Sequence, residues 1–527
     1  MTERARSSGS QRGEELGITE GRGARDHRGG KRWEREGYDP QKKPTSRRKN
    51  DSVSDTIEKA AVPPGQAAGA WATIREALRG SRQDYTEGPI GRAIVLLAVP
   101  MVLEMVLESV FAVVDVFWVA HLGADAVATV GLTESMLALL YALAIGLSMG
   151  AAATVARRVG EKDLDGAAKA AVSSIALGIS VSVPIGIAGF LAAPRLLAAM
   201  GASGELIGTG SGFTRIMLGF NVVIVLLFLI NAIFRGAGDA AIAMRVLWLA
   251  NIINLALDPC FIFGLGPFPK LGVMGAAVAT TCGRGTAVLL QLAILARGKG
   301  RIAIRREHLV IEPAAMLRLL KISGSGILQA AIGTASWLGL VRILSAFGSA
   351  ALAGYTIGIR LIVFAILPSW GMSNAAATMV GQNLGAKKPD RAERSVWKAA
   401  QYNVVFLGCV GVTFVALARP LVRLFTSDPA IVPYGVDCLR IVSYGFLFYA
   451  FGMVMTQAFN GAGDTWTPTR INLFIFWLWE IPLAYVLARR LGLGPRGVFW
   501  AIPIAFSTLA VVSTLLFRRG KWKEKKV

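Results

Sequence analysis

The chain has 527 residues, of which 54% are hydrophobic and 17% charged, with mean hydropathy +0.52 and a formal net charge of +22. That balance excludes a string of soluble domains and places the chain among all-α polytopic membrane proteins. Four cysteines (Cys260, Cys282, Cys409, Cys438) and three histidines (His27, His121, His308) lack paired spacing, which argues against a disulfide scaffold and a zinc module.

In chain order, residues 1–88 hold 18 Lys and Arg and 14 Asp and Glu, with many Gly and Ser. They read as a disordered tail without chemistry of its own. The acidic residues argue against a transit peptide, and there is no apolar core for a cleaved secretory signal. Within the tail, AWATIREALRG (70–80) reads as a short solvated helix, with a membrane-surface helix as the alternative.

Twelve runs of 18 or more mostly apolar residues follow, at 91–120, 127–156, 166–193, 206–234, 240–264, 272–296, 316–346, 351–380, 396–418, 433–458, 468–488 and 496–517. The connecting segments predict an orientation. With the amino terminus inside, 25 Lys and Arg lie on the cytoplasmic side and 7 outside. Both termini are then cytoplasmic, in a multi-pass plasma (inner) membrane protein. The same bias explains the net charge, so no nucleic-acid partner is expected.

The first span, VPMVLEMVLESVFAVVDVFWVA (99–120), carries Glu104, Glu108 and Asp115. A carboxylate at the bilayer centre costs about 2.5 to 3.5 kcal/mol even on the gentler insertion scale, so such residues imply a protein-lined environment or a function. Steps of about 100° per residue put Glu108 and Asp115 within about 40° of Glu104, on one helix face.

Sequence self-similarity at one offset organises the rest. RGAGD (235–239) returns as NGAGD (460–464), Gly123 matches Gly348, and Gly160 matches Gly385, each pair 225 residues apart. A common gap-free offset indicates duplication. It predicts two parallel repeats of six helices: a lobe at 89–300 and one at 316–517, joined by a linker at 301–315, with a basic tail at 518–527. The GAGD phrases fit turns whose Asp caps the next helix. Their rival reading, one half of an intramembrane aspartyl protease, needs a Tyr-Asp pair within a span, and the only such pair is Tyr38 and Asp39 in the tail. No enzyme is expected.

The fifth span, NIINLALDPCFIFGLG (251–266), puts Asn254 and Asp258 one helical turn apart. Counting from the span ends, Asp258 and Asp115 reach similar depth in the outer half of the first lobe, and Thr280 enters to join them. Facing one dry cavity, the two aspartates would titrate as a coupled pair, able to carry a proton or, with the neighbouring oxygens, a sodium ion. One charge moving down 100 mV releases about 2.3 kcal/mol, enough for a concentration ratio of roughly 50.

The motifs VDVFWVAHLGADAVATVGL (114–132), ARRVGEKD (156–163), FRGAGDA (234–240), NLALDPCFIFGLG (254–266) and GVMGAAVAT (272–280) make the chain resemble a multidrug and toxic compound extrusion (MATE) transporter, of the DinF-like branch. The resemblance spans about 90–517. It implies twelve helices in two six-helix bundles forming a V-shaped, alternating-access carrier that exports small organic, often cationic, compounds in exchange for H+ or Na+. It implies no cofactor, and the expected partners are that substrate and the lipid bilayer, for a carrier acting as a monomer. It also implies a cation-coupling set of Asp115, Asp258, Asn231, Asn254 and Thr280, Asn231 on resemblance alone, and a helix-1 hinge at Pro100.

Glu104 and Glu108 depart from the branch pattern. They either widen an acidic substrate cavity or interact with Arg284 or Arg360. Trp337, with Phe364, Trp370, Tyr355 and Tyr141, is an aromatic candidate for the cavity wall, and Glu480 has no evident partner. The alternative function is a flippase for lipid-linked saccharides of the same superfamily, whose pyrophosphate would call for a more basic cavity.

Overall fold

A computed structural model describes residues 69–310 and 312–525, with no β-strand among them. Helix α1 (Ala70–Arg79) precedes α2 (Ile90–Ala120), α3 (Ala124–Gly160), α4 (Leu164–Ala199), α5 (Gly204–Gly219), α6 (Asn221–Ala237), α7 (Ala240–Phe263) and α8 (Val273–Ala296). After the linker come α9 (Pro313–Leu344), α10 (Ser349–Gly385), α11 (Pro389–Arg423), α12 (Val432–Ser443), α13 (Phe446–Gly461), α14 (Trp466–Arg490) and α15 (Pro495–Arg518). Eleven spans are long and apolar enough to cross a membrane, and the pair α12–α13, bent by 55°, makes the twelfth. All twelve expected runs are therefore helices. Several outlast the roughly 30 Å of hydrocarbon, α3 and α10 having 37 residues each. Apolar side chains such as Leu139, Leu191, Leu289 and Leu338 stand 70% or more exposed, as a lipid-facing surface requires.

The 225-residue offset extends into backbone conformation. Lys162 and Lys387 are the two described non-glycine residues with positive φ (62° and 57°), and Gly238 and Gly463 turn at φ 90° and 82°. The fourth span breaks at Phe220, between α5 and α6, and its counterpart breaks at Tyr444–Gly445.

Small residues set how the two halves meet. A Cβ on Gly371 of α10 would fall 2.6 Å from the Met101 carbonyl oxygen of α2, and Gly146 of α3 lies against the Ile327 backbone of α9. Such close backbone approach is the usual packing device where lipid supplies no hydrophobic drive between helices. It places Ala93, Ile94, Leu97 and Met101 of α2 in a core with Ala375, Met379 and Val396 of the second half. Leu319 of α9 reciprocally joins Leu147, Ala151 and Val155 of the first. Division at the linker, as the chain order suggested, is thus crossed by both leading helices.

The halves also meet closely at their basic ends. Gly160 abuts the Gln382 backbone and Gly385 the Arg157 backbone, a pair exchanged by the repeat. Thr378 Oγ1 donates to the Arg235 carbonyl (3.2 Å) and Gln382 Nε2 to the Gly236 carbonyl (2.9 Å).

Two findings correct expectations at this end. Residues 69–88 are folded: α1 is followed by a strap across the basic face, so the disorder expected of the whole tail does not hold for them, and 1–68 lie outside the described residues. The side chains of the GAGD aspartates do not cap helices, although Asp239 stands at the N-cap position of α7. Asp239 accepts the Arg301 backbone N–H (2.6 Å) and pairs with its guanidinium (3.5 Å). Asp464 accepts from Thr467 and pairs with Lys525 (3.3 Å). Arg301 and Lys525 sit in the segments that follow each half, so each aspartate anchors a returning chain. Burial holds the Asp239 carboxyl above the ordinary range against the pull of Arg301. The basic tail folds back as well, Trp522 being fully buried and stacked 4.7 Å from Phe517.

Candidate functional site

Three clusters occupy the first half. Away from the basic end, α7 and α8 run close together because Gly283 faces the Ala250 carbonyl and Asn254, where a Cβ would meet the carbonyl oxygen at 2.7 Å. Their contact brings together Asn254, Asp258 and Thr280, all buried. With the Asn254 amide assigned to the orientation that satisfies its neighbours, Nδ2 donates to Asp258 Oδ2 (2.8 Å) while Oδ1 accepts from the Thr280 hydroxyl and backbone N–H (3.0 Å each). That leaves Asp258 with one short hydrogen bond from a neutral donor and no cation bonded to it among the described residues. Asp115 of α2 lies within range of its charge. One Asp115 carboxylate oxygen, Oδ1, is buried and has no hydrogen-bond partner among the described residues.

Toward the basic end, Glu104 is 1% exposed, and its Oε1 accepts from Arg235 Nη1 (2.7 Å) and Asn231 Nδ2 (3.2 Å). Gln291 Nε2 donates to Asn231 Oδ1 (2.5 Å). Between these clusters, Arg284 holds Glu108 (3.5 Å), donates to the Tyr141 hydroxyl (3.3 Å) and lies over the Phe111 ring at 5.5 Å. Buried charges persist only when paired, and each of these two glutamates has its own arginine.

The structure therefore divides the residues singled out from sequence. Asn254, Asp258 and Thr280 are in direct contact, and Asp115 lies within charge range of Asp258 and of Arg284; Asn231 hydrogen-bonds into the Glu104–Arg235 cluster instead. The sequence left Glu104 and Glu108 between widening an acidic cavity and binding Arg284 or Arg360; Glu108 is held by Arg284, Glu104 is held instead by Arg235, and both line a cavity. A cavity of about 260 Å³ is lined by both glutamates, Arg235, Asn231 and Tyr141 on one side and by Trp370 and Asn374 on the other. Arg360 and Trp337 are not among its lining residues. Trp337 is 36% exposed, and Arg360, on α10, lies within charge range of Glu134 on α3. Pro100 sits inside an unbroken α2, buried. Glu480 is 3% exposed, at the end of a π-helical turn (Leu473–Glu480).

Sequence reasoning missed Arg235 and Gln291 as site residues. Arg235 was counted only as a basic loop residue, although its i, i+4 spacing from Asn231 on a helix was a readable signal. Across the cavity the second half offers neutral amides: Gln457 Nε2 donates to Asn374 Oδ1 (2.8 Å) and Asn460 Nδ2 to Gln457 Oε1 (2.6 Å). No cluster of three or more His, Cys, Asp or Glu suited to a metal is present among the described residues.

A family profile described as MatE matches the chain twice, at residues 100–260 and 326–486, more than half of its length. A relative described as "Probable multidrug resistance protein NorM" of Thermotoga maritima is 27% identical over 83% of this chain and 94% of its own. An "FAD transporter" of Shewanella oneidensis is 24% identical over 83% and 96%. Among solved structures, an outward-facing multidrug resistance MATE family transporter superimposes with TM-score 0.78 at 27% identity, covering 86% of this chain and 98% of that one.

Proposed function

Because this chain belongs to the MATE family of membrane transporters, we propose that it exports small organic compounds in exchange for H+ or Na+ by alternating access, within the DinF-like branch. The basic face is cytoplasmic in this reading, the membrane is the plasma membrane, and lobes 89–300 and 316–517 move against each other. The observation that carries the coupling is the buried Asp258, with Asn254 and Thr280 oriented around it and Asp115 in charge range. A carboxylate in such a setting needs a proton or a cation to offset its charge. Asn254 presents a donor to Asp258, so binding a cation there would force the amide to turn or release Thr280, which is a route from ion binding to helix movement. Asn231, bonded to Glu104 and Gln291, stands apart from this set.

The cavity is mainly apolar, with each lining glutamate next to an arginine, and it suits a flat amphipathic compound whose charge is small. A drug-like organic substrate agrees with the name of the Thermotoga relative. A second reading, an anionic substrate such as the Shewanella relative's name indicates, draws on Arg235, whose side chain is 13% exposed at the cavity wall. The two glutamates on the cavity wall count against this reading and against a saccharide flippase alike, because each of those substrates carries a pyrophosphate.

The test is efflux of a fluorescent organic cation from proteoliposomes under a pH gradient or a sodium gradient, for wild type and Asp115→Asn. Transport driven by one gradient and lost in the variant identifies the ion. An absence of transport of cations and of a flavin dinucleotide under both gradients would refute the exchange reading.

A further inference from the structure

A second cavity, of about 340 Å³, opens on the basic face between α1, the strap after it, the α6–α7 turn and the end of α8. Its polar lining includes Arg79, Arg82, Arg245, Lys299, Ser81 and Asp239. The one carboxylate there is already committed to Arg301. None of the four cations makes an ion pair among the described residues, whereas on the same face Arg92 pairs with Glu76 (2.7 Å), Lys523 with Glu393 (2.6 Å) and Arg158 with Glu161 (3.2 Å). Four cations around one concavity with a single carboxylate, Asp239, which is bonded to Arg301 and within charge range of Arg82, leave an excess of positive charge that an entering anion would offset.

One of them is fixed in advance. Arg245 donates through Nε to the Ala241 carbonyl (3.1 Å) and through Nη2 to the Arg79 carbonyl (2.8 Å). Gly80, at φ +86°, lets the strap pass so near that a Cβ would stand 3.0 Å from Nη2. The fork is thus held against backbone with its other N–H groups free, as phosphate recognition by arginine uses it.

The depth is that of lipid headgroups. Arg245 lies in the second turn of α7, and Trp248 and Leu249, one turn deeper, are 38% and 39% exposed. Trp71 on α1 is 81% exposed. Tryptophans flanking a cluster of cations at a helix end mark the membrane interface.

We propose that this cavity binds the phosphate of an anionic phospholipid headgroup. Naming the leaflet cytoplasmic rests on the orientation proposed above; the site itself does not. A lipid there would also brace the strap, which joins the two halves. Arg301 donates to the carbonyls of Ser81 (3.0 Å) and Gln83 (2.7 Å), Lys388 to that of Thr86 (3.1 Å), and Arg391 to that of Glu87 (2.7 Å).

The experiment uses the purified full chain, titrated with phosphatidylglycerol, phosphatidylcholine or inorganic phosphate, with bound lipid counted by native mass spectrometry and Tm read in parallel. The variants are Arg82→Gln/Lys299→Gln, whose side chains make no hydrogen bond among the described residues, and a charge-matched control on the same face, Arg318→Gln/Lys321→Gln. Phosphatidylglycerol, and not phosphatidylcholine, should bind and raise Tm in wild type and control, with a loss of apparent affinity of about tenfold or more in the cavity variant. If inorganic phosphate displaces the lipid and raises Tm equally, the phosphate site stands and its source is a soluble anion. Equal lipid binding by cavity variant and control, or no preference for the anionic lipid in wild type, overturns the proposal. Should the double variant unfold, Arg82→Gln alone supplies the same comparison.

Discussion

The two repeats share a backbone and differ in chemistry. Adding 225 to each residue number turns Glu104 into Gln329, Glu108 into Gly333, Asp115 into Leu340 and Arg235 into Asn460. The helix breaks, positive-φ lysines and glycine crossings were retained through the same shift. Packing geometry and site chemistry can therefore be separated in one molecule: small residues at helix crossings preserve the fold, while charge is concentrated in the first repeat. A cavity with one charged wall and one amide wall is the result.

The comparison is broken most completely at Asp115. Asp115→Asn should abolish gradient-driven transport with membrane expression retained, whereas Leu340→Met, at the equivalent position, should leave coupling intact. Flux in proteoliposomes checks both, and equal effects would remove the asymmetry. Next comes Arg235→Gln, which leaves Glu104 buried without its cation and should destabilise the protein by about 3 to 5 kcal/mol. Converting the pair to the amides of the second repeat, Glu104→Gln with Arg235→Asn, should recover most of that loss in thermal unfolding while altering substrate preference.

The shared backbone is sharpened by Gly160→Val and Gly385→Val. Each drives a side chain into backbone across the interface and should cost about 1 to 3 kcal/mol. Near-equal drops in Tm are expected from the repeat relation, together with a shift of labelling toward a conformation open at the basic face. The smallest effect is at the strap. Tyr85→Phe removes the hydrogen bond to the Gly238 carbonyl (3.3 Å) but keeps the ring under Arg301 at 4.7 Å, costing about 0.5 to 1.5 kcal/mol. Burial pushes the Tyr85 hydroxyl up to about 12 from 10.0. The folded state thus prefers the neutral phenol, so its contribution is complete below pH about 10 and is lost as the pH rises toward 12. Hydrogen exchange in residues 81–88 should accelerate over that interval in wild type and not in Tyr85→Phe.

Much of this was legible in the sequence. Apolar runs long enough for lipid located every span, because a helix in hydrocarbon must satisfy its backbone internally and so announces its length. Spacing along α7 put Asn254 beside Asp258, and the depth count brought Thr280 to them. The GAGD phrases marked turns correctly. Their aspartates were misread as caps because the competing partners, Arg301 and Lys525, lie 62 and 61 residues further on in segments whose path composition does not reveal.

By itself, then, the sequence determined the duplication, the span register and which repeat carries the acids, since these follow from periodicity and residue type along one helix. Only the tertiary structure decided that Glu104 answers to Arg235 and Glu108 to Arg284, that Asn231 bonds to Glu104, and that the first helix of each half also packs across the division. Those outcomes depend on which faces meet across helix crossings. Hydropathy cannot encode that choice, because in lipid it is made by small residues, close backbone approach and the pairing of buried charge.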